Sequence, residues 1–296
     1  MIEITNCLIC GSDKITTIYP STFDGKTWED AVPYFLTNRK KAVHGNIAKC
    51  SGCGFVFTSP QFTKTEYDKI YASITIQDQG TNDRSITLRY QQLAGMVQQY
   101  CTAGKFLDLG CGNGGFLDAM PGAEGLGFEI REEGSDPQRS ENIITGDFLK
   151  FVQQASEGSG PSFDFLTAWD VLEHIPNLDA YMQAMAELLS SNGYLFVTVP
   201  DVNSSFSKVF GSKWNCILLE HLWYFNVDTL SKYASRFGFD YVSSRPLFFP
   251  SDAQTLVNRI AQTGFLPKVS LPDFISDRVV KLPIGVTFFV FRKTAA

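Results

Sequence analysis

Apolar residues along this chain fall into short runs that stop at glycine-rich or acidic turns. Lys105-Phe106-Leu107-Asp108-Leu109 ends at Gly110-Cys111-Gly112-Asn113-Gly114-Gly115, and Phe116-Leu117 follows. That order predicts a buried strand, a tight turn and the opening of a helix. Gly125-Leu126-Gly127-Phe128-Glu129 predicts a second strand, residues 142–145 a third ending at Gly146-Asp147-Phe148, and Phe163 to Ala168 a fourth ending at Trp169-Asp170. Leu178 to Leu189 carries apolar residues at helical spacing, and Gly193 to Pro200 is a fifth strand. Strands alternating with helices predict a doubly wound α/β sheet whose ligand lies at the carboxyl ends of the strands. Asp108, Glu129, Asp147 and Asp170 all fall at those ends.

With 296 residues, 44% of them hydrophobic, the chain can bury one large core and still build an appendage. A formal charge of −6 offers phosphates or an anionic membrane no general attraction, so nucleic acid is an unfavoured partner and a small molecule a better one. No apolar run is long enough to span a bilayer, and Met1-Ile2-Glu3-Ile4 lacks the character of a signal peptide. A cytoplasmic location is the expectation.

Four of the seven cysteines form two similar pairs, Cys7-Leu8-Ile9-Cys10-Gly11 and Cys50-Ser51-Gly52-Cys53-Gly54. A glycine after each second thiol allows the turn that aims two sulfurs at one point. Four thiolates make a closed tetrahedral shell for Zn²⁺, which implies a structural ion in a zinc-ribbon-like module. The alternative is four reduced thiols that bind nothing. Trp28, Tyr34, Phe35 and Arg39-Lys40-Lys41 between the pairs can contact a substrate. Cys101, Cys111 and Cys216 read as packing residues, and His44 as a surface histidine.

The glycine turn also satisfies the dinucleotide spacing through Gly110, Gly112 and Gly115. Asp108 argues against that use, because an acid there repels a pyrophosphate and suits a ligand with an ammonium group. S-adenosylmethionine is such a ligand. Glu129 is then the candidate for its ribose hydroxyls, and Asp147 for its adenine amino group, unless Asp147 only caps the next helix. Phe148 or its neighbours can cover the adenine face, and Trp169 and Asp170 border the cofactor.

From about Arg84 to Val242 the sequence resembles the class I methyltransferases, most nearly the small-molecule group that includes ubiquinone-biosynthesis and sugar-modifying enzymes. The resemblance rests on Asp108-Leu109-Gly110-Cys111-Gly112-Asn113-Gly114, on Asp170-Val171-Leu172-Glu173-His174-Ile175 and on Glu220-His221-Leu222-Trp223-Tyr224-Phe225. The first motif points to the cofactor and says nothing of the acceptor. A cysteine-rich zinc unit before such a domain resembles some deoxysugar and natural-product methyltransferases, although this chain is shorter than the sugar C-methyltransferases of that kind. The resemblance implies a Rossmann-like sheet with a final antiparallel strand, which Gly285 to Arg292 can fill. The expected organisation is a zinc-binding module over 1–65, a covering helical segment over 66–104 and a catalytic domain over 105–296. Within the last, 245–283 reads as an insertion with a helix from Asp252 to Thr263. Arg131 to Glu141, with Gly134 and Pro137, predicts a short or broken helix.

A hydroxyl acceptor must lose a proton, and histidine is suited to take it. Of three histidines, His221 is the candidate base or acceptor ligand and His174 the second. Tyr71, Arg89 and Tyr90 precede the core, where a helix can close on the methionine end. O-methylation of a sugar or nucleotide-linked sugar is the leading reading. N- or C-methylation, an RNA methyltransferase and a non-catalytic cofactor-binding protein are the alternatives.

Overall fold

The computed structural model describes residues 1–35, 43–73, 84–130, 142–156, 162–262, 267, 269–276 and 278–294. Two sheets organise it. The first is antiparallel and holds β1 (Ile15–Tyr19), β2 (Ile47–Cys50), β3 (Val56–Thr58) and, from far along the chain, β9 (Trp223–Tyr224), in that order. The short helix α1 (Trp28–Ala31) lies between β1 and β2, and α2 (Lys64–Ser73) follows β3.

The second is a mixed sheet of seven strands. Its strands are β4 (Lys105–Leu109), β5 (Glu124–Glu129), β6 (Ile143–Thr145), β7 (Phe163–Trp169), β8 (Leu189–Pro200), β10 (Phe239–Asp252) and β11 (Val279–Lys293). Their order is β10-β11-β8-β7-β4-β5-β6, with β4 to β8 parallel and β11 antiparallel to both neighbours. This is the Rossmann-like architecture predicted by alternating strands and helices. β4 pairs with β5 on one side and β7 on the other, so the winding reverses there and opens a crevice at the carboxyl ends.

Helices cover the sheet: α3 (Arg84–Val97), α4 (Gly115–Asp118), α5 (Phe148–Ser156), α6 (Leu178–Leu188), α7 (Ser205–Phe210) and α8 (Val227–Ser235). Phe106, Phe165 and Phe196 on adjacent central strands are wholly buried, and the Phe106 and Phe165 rings stack at 4.8 Å. Burying such rings is a main source of stability in a sheet covered on both faces.

The two ends of the segment 245–283 are strand. β10 and β11 stay paired from Phe239↔Lys293 out to Asp252↔Val279, leaving only the turn to α9 (Ala253–Gln262) and α10 (Asp273–Ser276). Proline makes this segment read as irregular. Pro246 and Pro250 lie on β10, an edge strand, and Pro283 lies on β11 beyond its pairing with β8. One face of the ladder needs no donor at either place, which is where strands tolerate proline. The helix predicted from Asp252 to Thr263 is present as α9. The helix expected over 131–141 and the basic run 39–41 lie outside the described residues.

Candidate active site

β4 delivers Asp108 to the crevice. Its carboxylate is buried and accepts from the Thr167 hydroxyl on β7 at 2.6 Å. Burial pushes the Asp108 carboxyl up to about 8, and the Glu129 charge adds to that rise. The turn that follows holds Gly110, Gly112 and Gly114 at φ of 72°, 56° and 79°, values open to glycine and costly for other residues. A Cβ on Gly110 would lie 2.6 Å from a Val171 methyl, whereas one on Gly112 would meet nothing within 4 Å. Open space therefore lies over Gly112.

Glu129 closes β5 beside this turn, and its Oε2 accepts from the Gly112 amide at 2.7 Å. Cys111 is buried beneath, against Gly127. Asp147 is exposed and its Oδ1 accepts from the amides of Leu149 and Lys150 at 2.9 and 3.2 Å, a helix cap. Phe148 differs from its expected role. Its ring is fully buried against Phe128, Phe151 and Tyr181 and has no face to offer an adenine.

At the end of β7, Trp169 stacks on Phe288 and meets Phe116 edge to face. Among the described residues its indole N–H has no hydrogen-bond partner. Asp170 adopts φ 55°, unusual for a residue other than glycine and a feature that concentrates at functional sites. Its two oxygens accept from the Thr198 hydroxyl, at 2.6 Å, and from Arg89 of α3. The Arg89 guanidinium also lies 4.4 Å from the Phe249 ring centroid. Arg89 and Tyr90 are thus brought to the sheet by α3. Tyr71, at the end of α2, packs edge to face on Phe35, within electrostatic reach of Glu220, Glu173 and Glu129.

The last motif folds back to meet the fourth-strand motif. His174 and His221 approach edge to face, 4.6 Å between ring centroids. Nδ1 of His221 lies 2.8 Å from the Cys216 carbonyl and Nδ1 of His174 lies 3.1 Å from the Glu220 carbonyl. A carbonyl can only accept, so Nδ1 of each ring is the donor. Residues 216–226 are all buried. Trp214, Trp223 and Tyr224 bond the carbonyls of Ile284, Ile175 and Leu218, so these aromatics are largely core. Glu173 is a functional candidate that its sequence position concealed. It is fully buried, and burial, with the Asp170 charge, holds its carboxyl well above the usual range.

The two cysteine pairs meet across the first sheet. Cys7 and Cys53 sulfurs are 3.5 Å apart, Cys10 and Cys50 sulfurs 3.6 Å, and all four lie within 4.8 Å of one another. Thiolates at the usual zinc distance sit about 3.8 Å apart in a tetrahedron, so the donor set fits that ion. Gly11 and Gly54 take the left-handed φ, 72° and 78°, that their positions predicted. His44, read as a surface residue, is buried with Nδ1 2.7 Å from the Gly45 carbonyl. The chain folds over it there because Thr22 and Phe23 both donate to the His44 carbonyl.

Residues 82–244 match the family described as methyltransferase domain. The ubiquinone biosynthesis O-methyltransferase of Shewanella halifaxensis is 30% identical over 103 residues, 33% of this chain and 44% of that protein. The protein of the same name from Photobacterium profundum is 29% identical over 106 residues, 34% of this chain and 45% of that protein. The chain thus spans less than half the length of these curated relatives. Among solved structures, a methyltransferase from Thermotoga maritima, described as a possible histamine N-methyltransferase, gives a TM-score of 0.44 at 14% identity, covering 70% of this chain and 89% of that one.

Proposed function

The chain belongs to the methyltransferase domain family, and from that premise we propose that it transfers the methyl group of S-adenosylmethionine to an oxygen of a small hydroxylated molecule, a sugar or nucleotide-linked sugar. Methyltransferase, as an enzyme class, follows from family membership. The acceptor is the finer reading. When bound, S-adenosylmethionine supplies an electrophilic methyl carbon.

The residues present fit that cofactor. Asp108 is a buried acid suited to an ammonium group, the glycine turn leaves space over Gly112, and Glu129 and the Trp169 indole N–H offer an acceptor and a donor at its rim. Asp170, Cys111, Gly110 and Asp147 complete the proposed rim, with Asp147 available through the oxygen its cap leaves over.

The observation that carries the acceptor reading is the His174–His221 pair. Each ring is oriented by a carbonyl at Nδ1, and Nε2 of His221 is the atom proposed to take the acceptor's proton as the carbon–oxygen bond forms. His221 is the proposed base and His174 its partner. Holding both reactants in line supplies much of the remaining acceleration. Likeness to enzymes named O-methyltransferases supports oxygen as the methylated atom.

We further assign Cys7, Cys10, Cys50 and Cys53 to a structural Zn²⁺ in an N-terminal module over 1–65, with 66–104 covering a catalytic domain over 105–296. No helix among the described residues is long and apolar enough to cross a membrane.

The test is a calorimetric titration of S-adenosylmethionine followed by product analysis over a panel of hydroxylated acceptors. Wild type should bind and methylate, and His221→Ala should lower kcat by about 10²- to 10⁴-fold. Unchanged turnover in that variant at saturating acceptor would remove His221 from the reaction.

A further inference from the structure

Glu173 is left unexplained by base catalysis. It sits at 0% exposure, and neither carboxylate oxygen has a hydrogen-bond partner on another described residue. Burying a carboxyl so completely is unfavourable unless something pairs with it. Arg89, whose charge reaches Glu173, is paired with Asp170.

Two imidazoles lie against it, and Glu220 and Tyr71 are within electrostatic reach. One ligand atom from each of Glu173, His174 and His221 can be chosen so that all three lie within 4.8 Å of one another. Nδ1 of each ring is engaged by a backbone carbonyl, at 3.1 Å for His174 and 2.8 Å for His221. Metal-binding histidines are oriented in this way, with the second nitrogen tied to a carbonyl or carboxylate and the first aimed at the ion. The rings meet at an interplanar angle of 86° and do not stack.

We infer that Glu173, His174 and His221 form a binding site for a first-row divalent cation, separate from the four cysteines. Two imidazoles and a carboxylate are a ligand set suited to Zn²⁺, Mn²⁺ or Fe²⁺, and three protein ligands leave coordination positions open. A hydroxylated acceptor can fill those positions, a part of the inference that rests on the methyl-transfer reading above. When the ion is bound, Nε2 of His221 is a ligand, so it acts as the base proposed above only in the metal-free protein.

Co²⁺ is the probe, added to full-length protein whose cysteine cluster has first been filled with one equivalent of Zn²⁺. Binding is read by calorimetry and by visible absorption. One further equivalent should bind, giving weak visible bands without the intense near-ultraviolet absorption of cobalt–thiolate bonds. Glu173→Gln and His221→Asn should each weaken that binding about tenfold or more, while retained zinc and an unchanged circular dichroism spectrum show that the variants fold. No second equivalent in wild type, a thiolate-type spectrum only, or equal affinity in wild type and both variants would overturn the site. Cofactor and acceptor are absent from this titration. A protein that binds Co²⁺ as described but methylates nothing therefore sinks the methyl-transfer reading alone.

Discussion

Asp108 gives the sharpest test of the cofactor site, because its ionisation and the cofactor's charge oppose each other in a calculable way. Burial pushes this carboxyl up to about 8 in the free protein. The ammonium group of S-adenosylmethionine, near the ordinary α-amino value, deprotonates at about 7.7 to 8.0. An ionic contact needs the acid ionised and the amine protonated. Below pH 8 the acid must release a proton on binding, so affinity rises with pH; above pH 8 the ligand must gain one, so affinity falls. With these two values the dissociation constant should be roughly 15-fold lower at pH 7.5 than at pH 6.0. Asp108→Asn keeps an oxygen for the Thr167 hydroxyl but cannot ionise. Loss of a hydrogen bond to a charged group should weaken the cofactor at pH 7.5 by about 1.5–3 kcal/mol, on the order of 10- to 150-fold, and abolish the rising limb. Calorimetry across the pH series measures both effects. A wild-type affinity flat from pH 6.0 to 7.5, or a variant with the wild-type slope, would refute a charge contact between Asp108 and the cofactor. Without ligand the sign is opposite: the raised value makes the folded state hold a proton that the unfolded chain releases, so this group's contribution to stability declines as pH rises from about 4 to about 8.

Gly110→Ala places a methyl 2.6 Å from Val171 at a φ of 72°, so cofactor binding should be lost and denaturant-measured stability should drop by about 1–3 kcal/mol; a variant that binds normally would show that the turn can relax. Stripping metal with a chelator should lower the melting temperature and free four thiols to a colorimetric reagent, and Cys50→Ser should mimic it; a melting temperature indifferent to zinc would remove the structural ion. Tyr224→Phe deletes a buried hydroxyl that lies 3.2 Å from the Leu218 carbonyl and 3.3 Å from its amide, and should cost about 1–3 kcal/mol in urea unfolding. Because that tyrosine supports the His221 loop from beneath, acceptor turnover should fall more than cofactor affinity, and equal losses would argue against the placement.

The sheet and its ligand edge were legible because their signals are local. A parallel strand must be a short apolar run, and a turn that brings backbone close to a ligand must use glycine. Asp108, Glu129 and Asp170 stood out for the same reason, as acids placed where a strand stops. The paired cysteines followed from thiol spacing plus a glycine at left-handed φ. Tertiary structure decided the rest. Pro246 and Pro250 look like breakers until β10 proves to be an edge, and Phe148 looks like a cofactor wall until the core closes on it. β9 joins the N-terminal sheet across a separation that no local pattern records. Glu173 is one residue of a motif in the sequence, and its importance comes from what surrounds it: no partner for its oxygens on another described residue, and two histidines, one next to it and one from a distant segment. Sequence by itself determined which side chains sit at strand ends and turns, because those depend on backbone geometry a few residues long. Only the tertiary structure decided which of them are buried, paired or brought together, because desolvation and contact depend on neighbours that the chain supplies from elsewhere.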